Sequence, residues 1–522
     1  MSVFRGSLAV WHWLQARAPE FKENGDESQG SLLFSLSRRL QYAGRFEEAL
    51  VASQEAVNLR RALATEQPVT YNADLASSLS NLSFHCSAVG RREEALAAIN
   101  EALDLYRMLA TGRPVVFNTN LAMSLNDQSV YLSALGQREE ALVAITEALD
   151  FYRVLAAEQL MFNVNLAGSL NTLSCHLSDL YRHEEALMAI TEGLDLYRVL
   201  PAKQPVVFNT DLARTLVNLS AALSALGRHE EALMETKEAL YLYRVLAAER
   251  PAVFNADLAR SLSNLSLYLS DLGRHDEAAV TVKEAVGLYH ALAAERPVAF
   301  NADLARSLSK LSVYLSACRR NGEAVVAVKE AVDLYRMLAA EQPAVFNADL
   351  AGSLNNLSCR LSDLDRHEEA LVAIIEALEI YRNLAAERPG AFNFRVANAL
   401  DTISTCLSRL GRREEALAAM QGAIILCRAL GTDSERPSSF NQDLYIFLIN
   451  VSARLSDLER WAEALTAIHE VVEFRRALAS ERPAVHDPEV ARSLEQLYTY
   501  LLKAERREEA QLIFLELSEL KS

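Results

Sequence analysis

The chain has 522 residues, about half of them hydrophobic, and carries 69 acidic against 52 basic side chains for a formal net charge of −17. Such acidity argues against a nucleic-acid backbone as the main ligand, because affinity for phosphate chains comes from clustered basic residues. Six cysteines (Cys86, Cys175, Cys318, Cys359, Cys406 and Cys427) show no paired spacing, which fits a reduced, cytoplasmic compartment, and no run is long and apolar enough for a membrane span.

At the N-terminus, GSLAVWHWL is short for a secretory leader and is interrupted by His12. Leu8 to Pro19 (LAVWHWLQARAP) aligns instead with Leu240 to Pro251 (LYLYRVLAAERP). Residues 1–30 are therefore read as a partial repeat that begins inside a second helix. It is either a lone capping helix or the tail of a longer protein. A polar stretch from Lys22 to Gly30 leads into the first complete hairpin.

Beyond it a single unit recurs. Tyr71, Phe117, Phe162, Phe208, Phe254, Phe300, Phe346, Phe392 and Phe440 are 46 residues apart, save one step of 45 and one of 48. Eleven alanines keep the same rhythm: Ala49, Ala95, Ala141, Ala186, Ala232, Ala278, Ala324, Ala370, Ala416, Ala464 and Ala510. A fixed period of this size marks an array of stacked units.

Within the unit from Phe254 to Pro297, Leu258, Leu262, Leu265 and Leu269 form one helical stripe, helix A. Asn255 is placed to cap its N-terminus, with Asp257 in the first turn, and Gly273 is a left-handed C-cap. Ala278, Val282, Ala285, Leu288, Tyr289 and Leu292 form the stripe of helix B, opened by Asp276 and Glu277. A longer loop, closed by Pro297, is expected after it. Ala278, Ala285 and Ser266 are small enough for the two helices to approach closely. The fold class expected is all-α, a solenoid of about eleven antiparallel helix pairs. Residues 31–487 form the array and residues 488–522 a C-terminal capping hairpin, since terminal repeats lack one neighbour.

Leu262, Leu265, Ser266, Leu269, Gly273, Ala278, Val282 and Ala285 follow, at matching spacing, the residue order of the tetratricopeptide repeat family. The chain resembles that family over nearly its whole length. Leu262 replaces the usual Trp, His275 replaces an aromatic, and the closing Pro comes late. A period of 46 against the ordinary 34 is similar to the extended repeats of kinesin light chains and to repeat regions of fungal and bacterial signalling proteins. The resemblance implies a concave groove lined by the non-core face of helix A.

No Gly-rich phosphate loop, H-E-x-x-H, C-x-x-C or G-x-S-x-G motif occurs, so neither an enzyme nor a cofactor is expected. His183, His229, His275 and His367 recur beside acidic residues, but stacked helices lie roughly 8–10 Å apart. Zinc ligands sit about 2 Å from one metal, so this row is read as first-turn decoration and no metal site is expected. The row Tyr106, Tyr152, Tyr197, Tyr243, Tyr289, Tyr335 and Tyr381 is read as packing between repeats.

The groove face of helix A carries the functional signal. Asn81, Asn218, Asn264, Asn356 and Asn450 recur there, and an amide side chain both donates to and accepts from a peptide backbone. Three consecutive repeats add Arg214, Arg260 and Arg306 one turn earlier, with Lys310 in place of Asn in the third. Arg214/Asn218, Arg260/Asn264 and Arg306/Lys310 are thus i,i+4 pairs on one face. Such a basic strip suits a carboxylate or acidic peptide; the alternative is that these arginines bridge to Asp257 or Asp303 and bind nothing. The function expected is a non-catalytic scaffold holding a peptide or protein surface, with no nucleic acid or membrane partner. The alternative is the C-terminal sensor or autoinhibitory region of a larger, here truncated, signalling nucleotide hydrolase.

Overall fold

The computed structural model describes residues 25–199, 205–430, 439–481 and 483–520. The helix expected over Leu8 to Pro19 and the two-residue insertion near Gly431 lie outside them. The described residues hold 22 α-helices and no strand, and consecutive helices pack as pairs, so the chain is an all-α helical solenoid. None of these helices is long and apolar enough to cross a membrane.

One repeat shows the local logic. Helix A runs over Pro251–Asp271 and helix B over His275–Glu295, 21 residues each. Burial follows the predicted stripes: Leu262, Leu265, Leu269, Ala278, Val282 and Ala285 are all buried. Ser266 is also buried, and its hydroxyl donates to the Ser263 carbonyl at 2.8 Å, so a polar atom is tolerated where a larger side chain would force the helices apart. Each buried leucine contributes about 1.5–3 kcal/mol relative to exposure. The tyrosine row is buried as well, consistent with packing.

The junction from B to the next A differs from expectation. One extended residue, Arg296 (φ −138°, ψ 72°), joins Glu295 to Pro297, and Pro297 is the first residue of the next helix rather than the end of a loop. Pro68, Pro114, Pro343 and Pro389 open helices in the same way. Proline at the first helical position costs nothing, since its missing N–H would be unpaired there and its fixed φ suits the helix. Asn255 therefore lies inside helix A and caps nothing. The length beyond an ordinary repeat is carried by longer helices.

The turn from A to B is as expected. Gly273 has φ 73°, and the Arg274 N–H donates to the Leu269 carbonyl at 2.8 Å while that of Gly273 donates to Ser270 at 2.9 Å, a left-handed helix end. The same position holds Tyr181, Arg319, Asp365, Glu459 and Glu505 elsewhere, all at φ between 57° and 61°. Helix B then begins with a fork: Arg274 donates from Nε and Nη2 to both oxygens of Glu277 at 2.7 and 2.6 Å. Arg182–Glu185, Arg228–Glu231, Arg320–Glu323 and Arg366–Glu369 repeat it. The histidines between these partners are half-buried rather than fully solvated.

The chain divides into two compact units, residues 1–254 and 255–522. Within each, the A helices of consecutive repeats touch, as Pro114–Ala134 touches Asn163–Asp179 in the first and Pro297–Ala317 touches Pro343–Ser362 in the second. The B helices of consecutive repeats are linked by solvent-exposed ion pairs. Arg61–Glu101 and Arg107–Glu147 do this in the first unit, Arg336–Glu376 and Arg476–Glu516 in the second.

Candidate ligand-binding groove

In the second unit the hollows between adjacent A helices form two contiguous cavities. One, of about 430 Å³, is lined by Arg260, Asn264 and Tyr289 on one side and by Asp303, Arg306 and Lys310 on the other. The next, of about 620 Å³, is lined by Arg306 and Lys310 together with Tyr335, Asp349, Asn355, Asn356, Tyr381 and Arg395. Arg306 and Lys310 form the ridge shared by both.

The larger hollow has a structural cause. Gly352 stands one repeat on from Arg306, and a Cβ there would lie 3.7 Å from the Tyr381 hydroxyl. The missing side chain widens the hollow beside the Tyr381 hydroxyl, although the ring itself stays buried. One repeat on from Asp349, an arginine, Arg395, replaces the acid and adds a third cation.

The charges are unequally matched. Arg260 is held by Asp257 at 2.7 Å and Arg306 by Asp303 at 2.8 Å, pairs within one helical turn and largely exposed. Lys310 is half-buried and makes no ion pair among the described residues; burial, with the neighbouring Arg306 adding to it, holds its ammonium below the usual lysine range. Tyr289 is pushed upward, first by burial and then by Asp303. Asn355 Oδ1 is enclosed at the same cavity without a donor. A ligand that brings an anion to Lys310 and an N–H to Asn355 would satisfy both.

The expected residues thus divide. Arg260, Asn264, Arg306, Lys310 and Asn356 converge on one pair of cavities. In the first unit Arg214 pairs with Asp211 at 2.8 Å, and Asn218 Nδ2 donates to Asn171 Oδ1 at 2.9 Å. Asn81 donates to Ser37 at 2.7 Å, and Asn450 to Asp401 at 2.8 Å, so part of the asparagine row ties repeats together. Arg395, Asn355 and Gly352 were not singled out by sequence; aligning the repeats at the arginine position would have exposed the break at Gly352.

The same row carries Asp127 in the first unit, where other repeats have Asn81 or Asn218. Burial raises its carboxyl to about 6, the Asn126 side chain opposing this, and it makes no ion pair among the described residues. No group of three His, Cys, Asp or Glu among the described residues could hold a metal.

Comparison with known proteins agrees with this architecture. Tetratricopeptide repeat profiles match residues 258–292 and 350–386, and a second such profile matches residues 213–233. A profile of anaphase-promoting complex subunit 5 matches residues 63–109, 385–435 and 430–482. No curated protein matches the chain. Among solved structures, BtubC (BKLC) from P. vanneervenii is 20% identical, covering 47% of this chain and 92% of its own, with a TM-score of 0.39. A kinesin light chain-type protein of Podosopora anserina with nearly identical TPR-like repeats is 18% identical, over 42% of this chain and 96% of its own, at 0.33. The quorum sensor NprR from B. thuringiensis is 14% identical, over 75% of this chain and all of its own, at 0.46. The matched segments lie on the observed helical hairpins, so the repeats there are of the tetratricopeptide type.

Proposed function

We propose that the chain is a non-catalytic interaction scaffold that holds an extended peptide segment along the A-helix face, anchoring an acidic side chain or terminal carboxylate at Lys310. The observation that carries this is the half-buried Lys310 ammonium without a carboxylate partner, flanked by Arg306 and Arg395 in a cavity of about 620 Å³. A buried, unmatched charge in a hollow is where a complementary ligand gains most. The Asp257 and Asp303 pairs do not oppose the reading, because exposed ion pairs are worth about 0–1 kcal/mol and yield readily to a competing anion. Asn264 and Asn356 then serve the peptide backbone.

The test is an array of peptides with free or amidated C-termini, probed with the full chain. Acidic or carboxylate-ending peptides are expected to be retained, with binding falling as salt rises and lost in Lys310→Glu. An identical peptide set for wild type and Lys310→Glu would overturn the assignment.

A further inference from the structure

The B-helix side of the second unit carries a separate hollow of about 420 Å³, between the helices His275–Glu295, Pro297–Ala317 and Asn321–Glu341. The repeat supplies its own control for why it exists. The residue after the invariant small alanine of helix B is leucine at Leu50, Leu96, Leu142, Leu187, Leu233, Leu371, Leu417 and Leu465, valine at Val325, glutamine at Gln511 and alanine at Ala279. Leu371 is buried where it stands. At Ala279 the smaller side chain leaves a depression above Leu308, Leu311 and Leu315, which are themselves buried. Its lips are Val280 and Val326, 69% and 68% exposed.

The rim is polar and mostly matched. His290 Nε2 lies 3.2 Å from Glu330 at one end, and Arg320 forks onto Glu323 at the other. Lys283 makes no ion pair among the described residues, and the nearby Glu323 is engaged through both oxygens by Arg320. An apolar floor with one convergent cation is the composition of a site for a small amphiphile.

We propose that this hollow binds a medium-chain fatty carboxylate, its alkyl chain across Leu308, Leu311 and Leu315 and its head group on Lys283. The site is independent of the A-helix groove. The favourable terms are burial of the chain, about 25 cal/mol per Å² removed from water, and a charge-assisted hydrogen bond from the ammonium.

The experiment uses the full chain with 8-anilinonaphthalene-1-sulfonate as the fluorescent probe. Saturable probe binding is expected, displaced by decanoate and not by decyltrimethylammonium. Ala279→Leu, which installs the residue found in eight of the other repeats, is expected to weaken the probe at least tenfold without lowering the melting temperature. Lys283→Glu is expected to lose decanoate at least tenfold while still binding neutral N-phenyl-1-naphthylamine. Absence of probe binding, unchanged binding in Ala279→Leu, or equal displacement by the cationic amphiphile would each overturn the proposal.

Discussion

Arg306 donates from Nη1 to Asp303 Oδ1 at 2.8 Å across one turn of helix A, with the arginine 57% and the aspartate 38% exposed. So exposed a pair contributes about 0–1 kcal/mol to stability, and it holds the guanidinium at the ridge between two cavities. Asp303→Asn is expected to leave the urea midpoint nearly unchanged and to tighten an acidic peptide. Lys310→Glu is expected to weaken the same peptide more than tenfold. Fluorescence anisotropy at two salt concentrations measures both, and the wild-type affinity should fall with salt.

Asp127 occupies a position that is asparagine, Asn81, in the preceding repeat. Its carboxyl titrates at about 6 in the folded chain because burial disfavours the charge, against about 3.9 unfolded. A group raised on folding favours the native state below the unfolded value, and that contribution is lost as pH rises through the folded one. Asp127→Asn should therefore stabilise by about 1–3 kcal/mol at pH 7, with the gain vanishing near pH 4. Chemical denaturation at the two pH values checks this.

His85 is fully buried, and neither ring nitrogen finds a partner within the chain among the described residues. Burial lowers its affinity for a proton. As pH falls below about 6.5 the unfolded chain takes up the proton and the native chain resists it, so stability declines on the acid side. His85→Phe is expected to raise the unfolding free energy by about 1 kcal/mol and to flatten its dependence on pH between 7 and 5, as chemical denaturation measures.

Arg319 and Glu459 adopt φ of 58° and 59° where other repeats have glycine. A side chain in this region costs about 1–2 kcal/mol, partly offset by the greater freedom glycine has when unfolded. Arg319→Gly and Glu459→Gly are each expected to stabilise by about 0.5–1 kcal/mol. Gly273→Ala should cost a similar amount. Thermal melts of the three variants compare directly.

The stripes of Leu262, Leu265, Ala278 and Ala285 made the hairpin legible in the sequence, because burial at 3.6-residue spacing repeats in every unit. The B-to-A junction was not. Asn and Pro have two local meanings each, and Asn255 and Pro297 were read as cap and loop. Helix B in fact runs to Glu295 and leaves one residue, Arg296, before the next helix starts. On the polar face of helix A, Arg260, Asn264, Arg306 and Lys310 drew attention because cations and amides recur there. Gly352 and Arg395 were overlooked because they interrupt the recurrence that drew attention to the row.

The sequence by itself determined the helical hairpin, its 46-residue period and the face on which polar side chains gather, since all three follow from residue spacing along one helix. Only the tertiary structure decided which of those side chains remain available. Asn81 and Asn218 are spent on the preceding repeat, Arg260 and Arg306 on their own aspartates, while Lys310 keeps an unmatched charge. Availability depends on what the neighbouring repeat presents across the gap. That is set by packing between helices distant in sequence, which periodicity does not encode.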